Sequence, residues 1–204
     1  MTDKSFTNLT LRDYLNALAS DEPVPGGGSV SAYAAALAMG LTQMVARIAL
    51  KRKKKAGLSA ADEKKEDEKR KTVTGILETL EKTKKDAFQI VDLDPKVYGE
   101  VMTVWNDEAK REDALRNSYR LQADLALLVV MASEWNQNLA HLVSGSIKND
   151  LLVSAGLLEG AFKGAYHTAM INVVCMKEGG ERTKAEKALE ELKTRFAKGG
   201  KLDG

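Results

Sequence analysis

Pro25-Gly26-Gly27-Gly28-Ser29 runs directly into Val30-Ser31-Ala32-Tyr33-Ala34-Ala35-Ala36-Leu37-Ala38-Met39-Gly40-Leu41. Three successive glycines beside a helix start make a loop without Cβ atoms, whose N–H groups can face a ligand at the positive end of the helix. The same residues also suit a tight turn between two helices. No Lys-Ser/Thr follows the glycines, so this is not a Walker A loop, and no buried strand precedes them, so it is not a dinucleotide fingerprint. Ser29 reads as the N-cap of the next helix. In that helix Tyr33, Leu37, Leu41, Met44, Val45 and Ile48 form an apolar stripe of helical period. Ala32, Ala34, Ala35, Ala36, Ala38 and Gly40 leave little bulk elsewhere, which predicts a central or interface helix that neighbours approach closely. Val30 to Ala46 is about 17 residues, the short limit for a membrane span. With Ser31, Thr42 and Gln43 inside it and Arg47 at its end, it reads as a buried helix.

Toward the N-terminus, Thr10 and Asp13 have capping-box spacing, and Leu11, Tyr14, Leu15 and Leu18 share one face of a short helix. Asp21 to Gly28 ends that helix. No apolar run follows the first charges, so no signal peptide is expected. Downstream, Lys51 to Lys55 is a basic run, and Ser59 with Asp62 offers a further cap. From Asp62 to Lys71 five acidic and five basic residues balance, at spacings that allow i,i+4 pairs along a solvated helical face. Val73, Ile76, Leu77, Leu80, Phe88 and Val91 carry that helix to about Val91. Asp94-Pro95 reads as N-cap and first-turn proline of a short helix through Val97, Tyr98, Val101, Met102 and Trp105.

Neither proline nor glycine occurs between Asp107 and Val143, which predicts a rod of about 55 Å and long partners for it. Ser144-Gly145-Ser146 breaks the chain. Asn149-Asp150 caps a helix to about Lys177, Gly179-Gly180 ends it, and a charged helix runs from Glu181 to Lys198 before a frayed tail, Gly199 to Gly204. No alternating strand pattern occurs. The expected architecture is therefore one all-α domain, residues 1–204, a multi-helix bundle with long antiparallel helices.

Composition removes several function classes. A net charge of +2, from 31 Lys+Arg against 29 Asp+Glu, gives no global field for nucleic acid, and aromatics do not interleave the basic run. The single cysteine, Cys175, allows no intrachain disulfide and suits a reducing cytoplasm. It lies between Val174 and Met176 and reads as a structural thiol. His141 and His167 have no partners at metal spacing, so packing or capping is the expected role of each and no metal site is expected. No GxSxG elbow is present. What remains is a set of charges at predicted helix ends: Asp21 and Glu22, the Lys51–Lys55 run, Asp94 and Asp150. Each alone suits a cap or a solvated charge.

The stretch Leu11-Arg12-Asp13-Tyr14-Leu15-Asn16-Ala17-Leu18-Ala19-Ser20-Asp21-Glu22-Pro23-Val24-Pro25-Gly26-Gly27-Gly28-Ser29 resembles the opening of the cyclodeaminase/cyclohydrolase family. The likeness continues through Met44-Val45, Lys53-Lys54, Asp94 with Tyr98, Val101 and Met102, Asp150, Ile171-Asn172 and the charged last helix. The resemblance implies an all-helical fold dimerising through long helices. It also implies a cytoplasmic folate one-carbon enzyme that needs no cofactor beyond its substrate and binds neither nucleic acid nor membrane. Two reactions are implied: hydrolysis of 5,10-methenyltetrahydrofolate to 10-formyltetrahydrofolate, or release of ammonia from 5-formiminotetrahydrofolate. By the same resemblance, Asp94 or Asp150 serves as base or cation stabiliser. Lys53 or Lys54 serves as acid, or as partner of the glutamate tail, including a polyglutamate tail. Glu22, Pro25, Gly26, Gly27, Gly28 and Ser29 line the substrate site. The chain departs from the family pattern at Arg47, where relatives commonly have Asn, and at Ser146 and Thr168. These departures keep a second reading open: a non-catalytic helical dimer that binds another small anionic ligand.

Overall fold

The computed structural model describes residues 5–54 and 57–199. After a 3-10 turn at Phe6–Asn8 come α1 (Leu11–Leu18), α2 (Gly27–Lys51), α3 (Ala60–Thr103), α4 (Glu108–Leu142), α5 (Lys148–Cys175) and α6 (Gly180–Gly199). No strand occurs among the described residues. Two of the expected caps form: Thr10 Oγ1 accepts from the Asp13 N–H at 3.1 Å, and Ser59 Oγ from the Asp62 N–H at 3.2 Å. Lys55 and residues 200–204 of the expected tail lie outside the described residues.

Cross-helix hydrogen bonds fix the register. Gln43 of α2 meets Glu81 of α3, and Arg70 meets Leu50, so α2 and α3 are antiparallel. Thr42 of α2 lies 3.0 Å from Asn136 Oδ1 of α4 and 2.9 Å from Ser154 Oγ of α5. Asn136 donates to the Leu151 carbonyl and the Lys177 N–H donates to Glu112, which makes α4 and α5 antiparallel. Thus α2 and α4 run one way and α3 and α5 the other, around a core whose fully buried side chains include Met39, Leu80, Leu125, Leu139, Leu151 and Leu158. Each such side chain contributes about 1.5–3 kcal/mol by leaving water. Across the outside of α4 and α5 lies α6, held by stacked Phe162 and Phe196 rings, 4.3 Å between centroids, and by the two-point Arg195–Glu134 pair.

The expected break at Asp94-Pro95 does not occur, because α3 is continuous through Pro95. A proline inside a helix has no N–H for the carbonyl four residues earlier, here Val91. Ser29 of α2 fills that gap, its Oγ–H donating to Val91 O at 2.9 Å. Ser29 is therefore not an N-cap. Gly26 occupies that position and α2 starts at Gly27. Likewise Asp150 is no cap: α5 begins at Lys148 and Asp150 sits in its first turn. Further differences are simpler. Leu11 and Leu15 face outward while Tyr14 is buried. Cys175 ends α5 with its thiol exposed, and both histidines are exposed.

Two side chains of α3 match the dipole of α2. At the C-terminus, Arg70 donates to the Leu50 and Arg52 carbonyls, placing positive charge where the helix end is negative. At the N-terminus the complementary group is Asp94. Among the described residues α2 alone is long and apolar enough to cross a membrane by length and composition, yet it packs between α3 and α5.

Candidate functional site

The glycine loop delivers the first turn of α2 against the middle of the bundle. Helix geometry leaves the N–H groups of Gly27, Gly28 and Ser29 without intrahelical partners. Asp94 Oδ2 accepts the Ser29 N–H at 3.0 Å, and its Oδ1 accepts from Gln122 Nε2 of α4 at 2.8 Å. Asp94 is the only buried carboxylate among the described residues. The close fit requires glycine at 28, since a Cβ there would stand 2.2 Å from Asp94 Oδ1 and 2.3 Å from Gln122 Nε2. Gly27 is exposed and opens toward α5, with Thr168 Oγ1 3.7 Å from the place of its absent Cβ. Asn172, one turn along α5, donates to the Thr168 carbonyl.

The protons of this junction can be assigned. Ser29 Oγ gives its one hydrogen to Val91 O, so at 3.1 Å from Tyr14 Oη it accepts from the tyrosine. The chain Tyr14 to Ser29 to Val91 thus links α1, α2 and α3 beneath the carboxylate. Burial raises the Asp94 pKa above the ordinary carboxylate value, against the lowering effect of the Ser29 N–H and the Gln122 amide. Burial also raises the Tyr14 hydroxyl, with a smaller upward push from the nearby Asp94 charge. A buried acid that holds its proton to higher pH than usual is suited to proton transfer.

Of the residues singled out from sequence, Pro25, Gly26, Gly27, Gly28, Ser29 and Asp94 come together here. Glu22 lies exposed in the loop before them, its N–H bonded to Ser20 Oγ. The others lie elsewhere. Lys53 and Lys54 follow the far end of α2, about 36 Å of helix away at 1.5 Å per residue. There, with Arg52, Lys65, Lys69 and Arg70, they line a cavity of about 530 Å³ that also holds Asp62 and Glu66, and Lys54 pairs with Asp67. Asp150 is about 27 Å along α5 from Thr168, so it is not part of the Asp94 site of its own chain. Arg47 sits about 30 Å down α2 from Gly27, paired with Glu81 at 3.3 Å.

Gln122 and Tyr14 are members of the site that the sequence reading missed. A signal existed for the first: Gln122 lies on the stripe that contains Leu115, Leu125 and Val129, and a glutamine on a buried face needs partners. Its Nε2 has Asp94, while its Oε1 is buried with no hydrogen-bond partner.

A family model described as formiminotransferase-cyclodeaminase matches residues 10–192. The methenyltetrahydrofolate cyclohydrolase of Methylorubrum extorquens is 26% identical over 201 residues, covering 96% of this chain and 93% of that protein. The formimidoyltransferase-cyclodeaminase of Mus musculus is 25% identical over 210 residues, but the chain spans only 37% of that protein's length. The crystal structure of formiminotetrahydrofolate cyclodeaminase from Thermotoga maritima superposes with a TM-score of 0.84 at 22% identity, over 95% of this chain and 93% of that one.

Proposed function

The chain belongs to the formiminotransferase-cyclodeaminase family, and from that premise we propose that it is a folate one-carbon enzyme acting at the carbon bridging N5 and N10 of tetrahydrofolate. The observation that carries this reading is the buried carboxylate of Asp94, alone in its burial among the described residues and held against the N-terminal turn of α2. Hydrolysis of 5,10-methenyltetrahydrofolate is the reaction written out first, because the Methylorubrum extorquens relative, 93% of which this chain covers, carries that name.

The bridging carbon is cationic and already electrophilic, so the chemistry asks for a base, an acid and a place for the oxygen. Asp94 takes a proton as water adds to the carbon, giving a tetrahedral intermediate with a hydroxyl on that carbon. The C–N5 bond then breaks with Asp94 returning its proton to N5. The hydroxyl proton leaves to solvent, and the formyl group remains on N10. The Gly27 and Gly28 N–H groups, at the positive end of α2, stabilise the oxygen as it develops charge. Release of ammonia from the 5-formimino compound would use the same acid on the departing nitrogen. Purified protein is expected to hydrolyse methenyltetrahydrofolate, followed by loss of its ultraviolet absorbance. No turnover, together with no folate binding in calorimetry, would sink the enzymatic reading in favour of a non-catalytic binding dimer.

The protein is further proposed to act as a cytoplasmic homodimer, with the exposed Cys175 thiol suited to a reducing compartment. Leu37 (48% exposed), Met44 and Phe88 border a groove of about 660 Å³, an apolar patch of the kind that marks an interaction surface. Lys84 and Lys85 also line it, and Lys84 is paired with Glu81, which suits a protein partner better than lipid. Leu37→Glu is expected to convert a dimer into a monomer in analytical ultracentrifugation while leaving the helical circular dichroism unchanged. A wild-type protein monomeric at micromolar concentration, or found in the membrane fraction, contradicts the dimer.

A further inference from the structure

Proline is by far the least favourable residue in a helix interior, and Pro95 stands inside the 44-residue α3, immediately after Asp94. The helix runs on for eight residues beyond it, so the proline neither starts nor stops α3. Its effect falls on Val91 O, the carbonyl that an N–H at residue 95 would have taken. Val91 is buried, so that carbonyl needs a partner from another element.

Ser29 is that partner and grips α3 twice. Its Oγ–H donates to Val91 O at 2.9 Å, and its N–H donates to Asp94 Oδ2 at 3.0 Å. Residues 91 and 94 are three apart and share one helix face, so a single residue of α2 holds two adjacent points of α3, one through its side chain and one through its backbone. Tyr14 of α1 donates into the same Oγ at 3.1 Å, which fixes the rotor of the serine hydroxyl. One bond would leave the first turn of α2 free to pivot about the carboxylate; two bonds set both its distance and its rotation. Any residue other than proline at 95 would bring an N–H that competes with Ser29 for Val91 O.

We propose that Pro95 is a positioning residue for the reaction: by withholding a backbone N–H it reserves Val91 O for the Ser29 hydroxyl, and the resulting two-point grip holds Asp94 and the first turn of α2 in register for proton transfer. The activity part of this inference rests on the folate reading. The grip does not, so the two can fail separately.

The grip is tested by a double-mutant cycle of thermal melts on the full chain. With Pro95 present, Ser29→Ala leaves the buried Val91 carbonyl and the Tyr14 hydroxyl without partners, and Tm is expected to fall by about 5–20 °C. With Pro95→Ala the carbonyl has the new N–H, only the tyrosine is left unpaired, and Ser29→Ala should lower Tm by about half as much. Equal losses in the two backgrounds overturn the reservation of Val91 O. In the activity test, Pro95→Ala alone is expected to melt above wild type, because alanine favours a helix. It should nevertheless lose at least about fivefold in kcat for methenyltetrahydrofolate with KM within about twofold of wild type, the pattern of a misaligned reacting group with binding intact. A merely structural proline gives the opposite pairing, altered stability with full activity, so a Pro95→Ala enzyme with wild-type kcat overturns the positioning role. If the wild-type protein itself shows no turnover, that role falls with the folate reading, and the melt cycle still decides the grip.

Discussion

The Asp94→Asn variant is expected to remain folded and to lose about 10²- to 10⁴-fold in kcat/KM for methenyltetrahydrofolate hydrolysis, the usual contribution of a positioned acid or base. Folding survives because the neighbours can adapt. The carbonyl oxygen of the introduced amide can accept the Ser29 N–H as Asp94 Oδ2 does. The amide nitrogen then faces Gln122, whose own amide rotates so that the otherwise unpartnered Oε1 accepts. Asp94→Ala has no such remedy and leaves buried donors unpaired, at about 1–3 kcal/mol each. The amide therefore separates chemistry from structure. Retention of more than about a tenth of wild-type kcat/KM would remove Asp94 from proton transfer.

Stability against pH supplies an independent signature of the same residue. Burial raises the folded pKa of Asp94, so its contribution to stability is fully present below the ordinary carboxylate value and is lost as pH rises through the raised folded value. The amide of the Asp94→Asn variant does not titrate. The melting temperature of that variant relative to wild type should therefore climb with pH across that window and level off above it. Asp92, two residues earlier on α3, behaves oppositely. Its burial pushes the pKa up, but hydrogen bonds from Thr7, Ser5 and Phe6 outweigh that and hold it low. Its contribution is present above the ordinary carboxylate value and is lost as pH falls through the lowered one. The two slopes have opposite signs, and a melt series on Asp92→Asn in parallel identifies which carboxylate produces which.

Local signals located most of the helices. Thr10 and Ser59 were legible as caps because a cap is made by residues three apart in sequence. The long rod over 107–143 was legible because neither proline nor glycine interrupts it. What could not be read were the places where one helix completes another. Pro95 looks like a boundary from its own chemistry, and it stays inside α3 because Ser29, far earlier in the chain, donates to the carbonyl the proline leaves free. Asp94 looks like the cap of its own helix and instead caps the start of α2. For the site, the glycine loop and Asp94 lie together, whereas Lys53, Lys54 and Asp150 share a motif with them but not a place within the chain.

Gly28→Ala should be damaging although it adds a single methyl group. By helix propensity alone alanine would gain about 1 kcal/mol over glycine. At position 28 its Cβ would stand 2.2 Å from Asp94 Oδ1, 2.3 Å from Gln122 Nε2 and 2.6 Å from Asp94 Cγ, distances at which something must move. The atoms in the way are not free ends, since Asp94 is held by Ser29 and by Gln122 itself. Overpacking costs about 1–3 kcal/mol, and a displaced carboxylate leaves its buried donors unpaired at about 1–3 kcal/mol each. The steric and hydrogen-bond costs exceed the propensity gain, so a net loss of roughly 2–6 kcal/mol is expected, which for a chain of this size lowers Tm by about 5–20 °C. Gly75→Ala is the matched control: that glycine lies exposed in α3 with nothing within 4 Å of the added carbon, so the same exchange there should stabilise by up to about 1 kcal/mol. If both variants melt at the wild-type temperature, the close packing of α2 against Asp94 and Gln122 is wrong. If Gly28→Ala alone falls and its residual folded fraction is inactive, the glycine loop is required because Asp94 must come this close to the helix end, and not because a turn needs flexibility.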